Sequence, residues 1–273
     1  MIITIATICF QAEKCIAKTI QSVMNQRNCR FEYLVEDGMS TDTTVDKVKE
    51  ALTQNENVDI SYFIYSEQDY GVYDAMNRAV RRAHGDWVLF LNAGDVFFSD
   101  HVLESFQGIL DKTEADVVYG NAVMRDVSGD FLFEADLSLV TRRMPFCHQA
   151  VFTRRSLLEK MPFDLNYKIA GDYDFFTRAY VAGNNFMKVD QIIAIYTMNG
   201  ISSTKYIAKL YEQEKIYYQR GFVHRKYGVR FVIKYVEALG KTLVLKCVPQ
   251  KAQRGIRRFY AKYVKKYTIM EKV

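Results

Sequence analysis

Apolar positions recur along this chain with two alternating periods. Ile2 to Phe10 is an almost unbroken apolar run and predicts a buried strand, after which Ile16, Ile20 and Val23 mark the inner face of a helix. Phe31 to Val35 predicts a second strand ending in Glu-Asp-Gly, and Ser40 to Thr44 offers several N-caps for a helix reaching about Leu52. Ile60 to Tyr65 reads as a third strand. The next thirty residues, Ser66 to Asp95, hold a complete unit: Tyr73, Met76 and Val80 at helical spacing, Gly85 where the helix would stop, and Trp87 to Leu91 as a strand covered on both faces. Val102, Leu103, Phe106, Ile109 and Leu110 predict another helix, and Val117 to Tyr119 another strand.

This order implies a mostly parallel sheet wound with helices. Beyond Asn121 the pattern changes: strand-like MRDV and FLFE flank Ser128-Gly129-Asp130, a hairpin signal, so the expected sheet is mixed. Asp172 opens a helix that runs through Tyr180 to Gly183, and Phe186 to Tyr196 returns to strand. From about Lys205 the chain reads as helical. Near its end Ile256, Phe259, Tyr260, Tyr263, Val264 and Tyr267 line one stripe, with Arg257, Arg258, Lys262, Lys265 and Lys266 largely opposite. The expected division is an α/β catalytic domain over residues 1–204 and a basic amphipathic helical tail over residues 205–273.

Charge sharpens that division. Residues 205–273 carry 18 Lys and Arg against 4 Asp and Glu, a local +14, whereas residues 1–204 carry −9. An acidic body suits metal chelation, and a basic, aromatic-rich tail suits an anionic surface. The composition, 49% hydrophobic and 25% charged, excludes a disordered or fibrous chain. Five scattered cysteines without a CxxC pair argue against structural zinc or a redox dithiol and fit a reducing cytosol. No basic leader precedes the first strand and no apolar stretch approaches membrane-spanning length, so a cytoplasmic protein is expected, with peripheral attachment to the inner face of the membrane through the tail as an option.

The chain has neither GxGxxG after its first strand nor GxxxxGK[ST] anywhere, so phosphate must be held by another device. Ligands of open α/β sheets lie at the carboxyl ends of the strands. Asp37, Asp69 and Asp95 fall there, and Asp172 stands at a helix start downstream. Four converging carboxylates repel one another unless a cation or hydrogen-bond donors intervene, and a metal–diphosphate would supply that relief.

The segments ATICFQAEKCIAKTIQSV, VEDGMSTDTT, SEQDYGVYDAMNRA with GDWVLFLNAGD, and HQAVFTRRSLL with FDLNYKIAGDYDFFTRA stand in an order that resembles the family 2 glycosyltransferases. These are inverting enzymes of GT-A fold, and the likeness is to the bacterial polysaccharide-type members over about residues 1–200. The resemblance implies a nucleotide-sugar donor, most often a UDP-sugar. It implies that Thr7, Cys9 and Phe10 belong to the loop that receives the base, that Asp37 accepts from the base imide, and that Asp69 lies beside the nucleotide. LNAGD stands where the family's acidic metal motif is found, which implies Asp95 as ligand to Mn2+ or Mg2+, with Asn92 and Gly94 at positions where carboxylates are common. Asp172 matches the catalytic base. His148 and Gln149 are candidates for acceptor or sugar contact, and Arg154 and Arg155 for phosphate.

Ordinary structural roles compete with several of these. Asp172 and Asp174 sit where capping and the helix dipole favour carboxylates in any case, Asp174 is expected to be structural, and Asp42 to be a turn or cap residue. The leading expectation is a metal-dependent inverting transferase acting on a glycan or lipid-linked acceptor in surface polysaccharide synthesis. A sugar-nucleotide nucleotidyltransferase is a second reading, opposed by the lack of a GxGxRxxP loop. A nucleic-acid-binding or scaffold protein using the basic tail is a third. No nucleic-acid module is recognisable, and the acidic body would repel a phosphate backbone, so nucleic acid is not expected as a partner.

Overall fold

The computed structural model describes residues 1–53, 60–126, 128–197, 205–247, 255 and 268–270, with the backbone alone from 241 to 247. The parallel half follows the apolar runs. Strands β1 (Ile3–Cys9), β2 (Phe31–Asp37), β3 (Ile60–Ser66) and β4 (Trp87–Phe90) pair in parallel in the order β4-β1-β2-β3. Helices α1 (Ile16–Met24), α2 (Thr44–Thr53) and α3 (Val72–Arg82) make the crossovers. Both faces of β1 and β2 are buried, and the polar side chains within them are paired, Thr4 Oγ1 donating to Glu32 at 2.6 Å, while the edge strand β3 is mostly exposed. Gly85 lies past the end of α3 instead of capping it; a side chain there would meet Thr4 Oγ1 at 2.6 Å and the Thr4 amide at 2.7 Å, so its smallness permits strand-to-loop packing.

The second half is mixed. After β5 (Val96–Phe97) and α4 (Val102–Lys112), β6 (Val117–Asp126) and β7 (Gly129–Phe133) form the expected hairpin, closed at Asp126 opposite Gly129. Strand β8 (Val151–Arg154) inserts antiparallel between β4 and β6. Helices α5 (Arg155–Lys160) and α6 (Gly171–Val181) follow, and β9 (Phe186–Thr197) returns parallel to β6 while pairing with β5. Paired residues are predominantly parallel, as expected, yet the pattern reading passes over β5 and β8, which at two and four residues are too short to show a period.

The described residues beyond 204 pack on the rest of the protein. Helix α7 (Tyr206–Gln219) buries Ile216 and Tyr217 against Tyr167, Ala170 and Tyr173. Helix α8 (Val229–Cys247) packs on α7 through an aromatic cluster of Tyr211, Tyr227, Phe231 and Tyr235, and β10 (Thr268–Met270) extends the sheet beside β7. The stripe from Ile256 to Tyr267 lies outside the described residues. No described helix is long and apolar enough to cross a membrane, and the four described cysteine side chains, Cys9, Cys15, Cys29 and Cys147, are free thiols.

Candidate active site

Asp172 occupies the first turn of α6 in a cage of donors. Its Oδ1 accepts from the Tyr173 amide at 2.8 Å and the Tyr73 hydroxyl at 3.2 Å, and its Oδ2 lies 3.3 Å from His148 Nδ1. Gly171 makes that approach possible, since a Cβ there would meet the Tyr73 ring at 2.7 Å. Burial pushes the carboxyl's pKa up, but the hydrogen bond from His148, the charge of Lys209 and the Tyr173 amide outweigh it and hold the group below the usual carboxylate range. At neutral pH Asp172 is ionised and therefore able to accept a proton.

His148 links this carboxylate to the turn after β4. Its Nε2 lies 3.3 Å from Asn92 Nδ2, and one tautomer satisfies both contacts: Nδ1–H donates to Asp172 and Nε2 accepts from the Asn92 amide. That orientation leaves Asn92 Oδ1 buried without a partner. Nearby, Asp95 is buried, accepting at Oδ2 from Gln149 Nε2 (2.7 Å) and at Oδ1 from the Thr197 amide (3.3 Å). Burial raises its carboxyl to about 6, against the lowering pull of Gln149 and His148. Gly94 completes the turn at φ +98°, a left-handed conformation suited to glycine, with its amide donating to Thr19 Oγ1 at 2.9 Å.

A second polar group lies across β1, at the end of β2. Asp37 is buried and accepts from the Ser40 amide (2.9 Å), the Ser40 hydroxyl (2.5 Å), the Ser66 hydroxyl (2.7 Å) and Cys9 Sγ (3.7 Å). Gly38 follows; a Cβ there would meet Asp69 Oδ2 at 2.6 Å and the Phe10 ring at 3.3 Å, so Phe10 and Asp69 flank that turn. Phe10 is 62% exposed at the open end of β1. An apolar ring standing in solvent beside a carboxylate is what a stacking and hydrogen-bonded ligand requires.

The profile of the family described as Glycosyl transferase family 2 matches residues 4–180, well over half of the chain. The chain belongs to this family. A PGL/p-HBAD biosynthesis glycosyltransferase of Mycobacterium bovis is 30% identical over 239 residues, covering 84% of this chain and 89% of the relative. Among solved structures, S. aureus TarS 1-349 in complex with UDP superposes with a TM-score of 0.61 at 20% identity, over 81% of this glycosyltransferase but only 65% of the TarS chain, less than two thirds of its length. The mannosyltransferase PcManGT from Pyrobaculum calidifontis, in complex with GDP-Man and Mn2+, gives 0.63 at 14% identity over 96% of this chain and 80% of its own. Both likenesses are to the GT-A architecture, a mixed α/β sheet flanked by helices.

Several side chains singled out in the sequence of this family 2 glycosyltransferase are engaged inside the molecule. The Thr7 hydroxyl is buried, donates to the Leu91 carbonyl at 2.8 Å and meets Tyr33 Oη at 2.9 Å. Cys9 is likewise buried, and burial together with Asp37 keeps its thiol far above the ordinary range. Gln149 is buried with its amide between Asp95 and Cys147 Sγ, so it positions the Asp95 carboxylate. Arg154 and Arg155 do not reach phosphate. Arg154 donates to the Ala115 and Thr113 carbonyls, and Arg155 to the Gly85 carbonyl and Glu159. Asp42 caps α2 through Thr44, as expected.

The pattern reading also missed residues contributed by α7. Glu212 accepts from three successive amides, Lys168 (2.9 Å), Ile169 (2.9 Å) and Ala170 (2.8 Å), and so shapes the loop that delivers Asp172. Lys209 lends its charge to Asp172. Arg220 and Arg178 pair with the buried carboxylate of Asp174 at 2.5 and 2.8 Å, which establishes Asp174 as structural. The only prior signal was the acidic pair Glu212 and Glu214 within an otherwise basic stretch.

Proposed function

We propose that this glycosyltransferase is a divalent-metal-dependent inverting enzyme. It transfers a sugar from a UDP-sugar to a hydroxyl of a glycan or lipid-linked acceptor in the synthesis of a surface polysaccharide or glycolipid. The observation that carries the reading is the row Asp172, His148, Asn92, with Asp95 beside it. It joins an ionised carboxylate to a partnerless buried oxygen at the carboxyl ends of the parallel strands. In its support, TarS is described with UDP and PcManGT with GDP-Man and Mn2+, and the mycobacterial relative is named for PGL/p-HBAD biosynthesis.

In this reading Phe10 stacks on the base while Asp69 and the loop held by Asp37 border the nucleotide. Asp172 takes the proton from the acceptor hydroxyl as that oxygen attacks the anomeric carbon from the face opposite the diphosphate, so configuration inverts in a single displacement. His148 holds the carboxylate in place and keeps it ionised until that moment. Among the described residues no group of three or more His, Cys, Asp or Glu side chains could hold a metal ion. The donor set still fits a hard cation that arrives with the diphosphate, because Asn92 Oδ1 is an unengaged oxygen and Asp95 supplies one carboxylate. Mn2+ or Mg2+ bound there would stabilise negative charge on the departing diphosphate.

A screen of nucleotide sugars for binding and slow hydrolysis tests the whole reading. UDP-sugar binding that collapses on chelation is expected; release of pyrophosphate from a nucleoside triphosphate and a sugar phosphate would replace it with nucleotidyl transfer. Asn92→Asp restores a second carboxylate and should lower the Mn2+ concentration for half-maximal activity by about tenfold, one charge-assisted contact being worth about 1.5 kcal/mol or more. An unchanged metal titration would remove Asn92 from the metal site.

The His148 contact has its own signature. The N–H of His148 lowers the proton affinity of Asp172, so His148→Leu, which removes that donor, should raise the Asp172 pKa. The base then becomes protonated at higher pH, and the acid limb of log kcat/KM moves upward. A fall in rate with the limb unmoved would mean that His148 acts on something other than this carboxylate.

A further inference from the structure

Helix α8 turns one face to the protein and leaves the other bare. Phe231 and Ala238 are buried on the inner face. Val229, Val232, Ile233 and Val236 stand on the outer face with exposures of 78, 53, 54 and 60%, and Leu239 extends the row. Their spacing of three and four residues makes a single stripe more than two helical turns long. Five aliphatic side chains in a row on solvent are unlike the scattered apolar residues of an ordinary surface. Positive charge flanks the stripe: Arg225 and Lys226 are exposed just before the helix, and Arg230 and Lys234 run along one side of it, leaning over the Tyr217 ring, with Arg230 also donating to the Arg142 carbonyl. Tyr227 and Tyr211, both partly exposed, pack together at its N-terminal end.

We propose that this face of α8 seats the enzyme on an anionic lipid bilayer, lying in the plane of the interface with the Val and Ile side chains among the acyl chains and the basic residues at the headgroups. An apolar stripe bordered by Lys and Arg, with tyrosines at the boundary, is the arrangement of an interfacial helix. The charge decides between a bilayer and a second copy of this chain. A two-fold interface through the stripe would bring the same basic flanks together along one seam, a like-charge juxtaposition that disfavours pairing, whereas phosphatidylglycerol-type headgroups neutralise them. This places attachment on α8, packed through α7 against the catalytic domain. The inference rests on the surface alone and is independent of the donor, metal and acceptor assignments.

Sedimentation of the full chain with vesicles of phosphatidylcholine, with and without phosphatidylglycerol, tests it. Binding to the phosphatidylglycerol vesicles that weakens with salt is expected. Val232→Glu combined with Val236→Glu, at two exposed positions, should reduce that binding by about tenfold or more, and Arg225→Gln with Lys226→Gln by about tenfold on the anionic vesicles only. Hydrolysis of a soluble nucleotide sugar should be unchanged in both variants. Failure of the native chain to bind anionic vesicles, or equal binding by the double glutamate variant, would overturn the proposal. So would a dimer of the native chain that the glutamates dissociate, because the face would then belong to a second copy.

Discussion

Asp172→Asn should lower kcat by about 10³-fold, the usual range for removing a general base being 10²–10⁴. The amide fits the existing cage. Its oxygen can still accept from the Tyr173 amide and the Tyr73 hydroxyl, and its Nδ2 can donate to His148 Nδ1 if the imidazole changes tautomer. Folding and donor affinity should therefore be close to native, and the loss should fall on kcat, not on the donor KM. That separation makes the test specific to chemistry. Transfer measured at saturating donor and acceptor is the readout, and turnover within a few-fold of native would exclude Asp172 as the base.

Asp174→Ala should instead unfold the protein more readily while sparing the chemistry. The carboxylate is fully buried and is shared by Arg178 from its own helix and Arg220 from the end of α7. Removing it leaves two guanidinium groups facing each other without a counter-charge. Breaking a buried pair in this way typically costs 3–5 kcal/mol; each arginine side chain is about one-fifth exposed and can turn partly to water, so the lower end, about 3 kcal/mol, is expected. For a chain of this size that corresponds to a fall in Tm of roughly 6–12 °C. Denaturant melts of the two variants side by side give the contrast: Asp174→Ala shifts the midpoint and Asp172→Asn does not. A native melting curve for Asp174→Ala would mean that α7 does not brace α6 through this pair.

Much of this was legible in the chain. The largely apolar segments of β1 and β2 and the continuous apolar run of β4 fit strands covered on both faces, and Asp37 and Asp95 at or just beyond their ends fall at the carboxyl edge of a parallel sheet. The helix that begins at Gly171 and carries Asp172 was legible from its acidic first turn. What escaped has a common cause. β5 and β8 are too short for a period to emerge, and Glu212 was hidden because a carboxylate on the exposed-looking side of a helix gives no sign that three backbone amides 42 to 44 residues earlier will meet it.

Local pattern and motif order were sufficient for the fold class, for family membership and for placing Asp37 and Asp95 just beyond parallel strands and Asp172 in the first turn of a helix, since each depends on interactions between residues near in sequence or on a motif read directly. Only the tertiary structure decided what those side chains do for one another. It spends Thr7 and Gln149 inside the molecule, joins His148 to Asp172 and Asn92, and turns the segment after residue 204 into a brace for α6 with a bare apolar face on α8. These outcomes depend on contacts between elements distant in the chain, where burial and competition among hydrogen-bond donors are determined by packing and leave no periodic trace in the sequence.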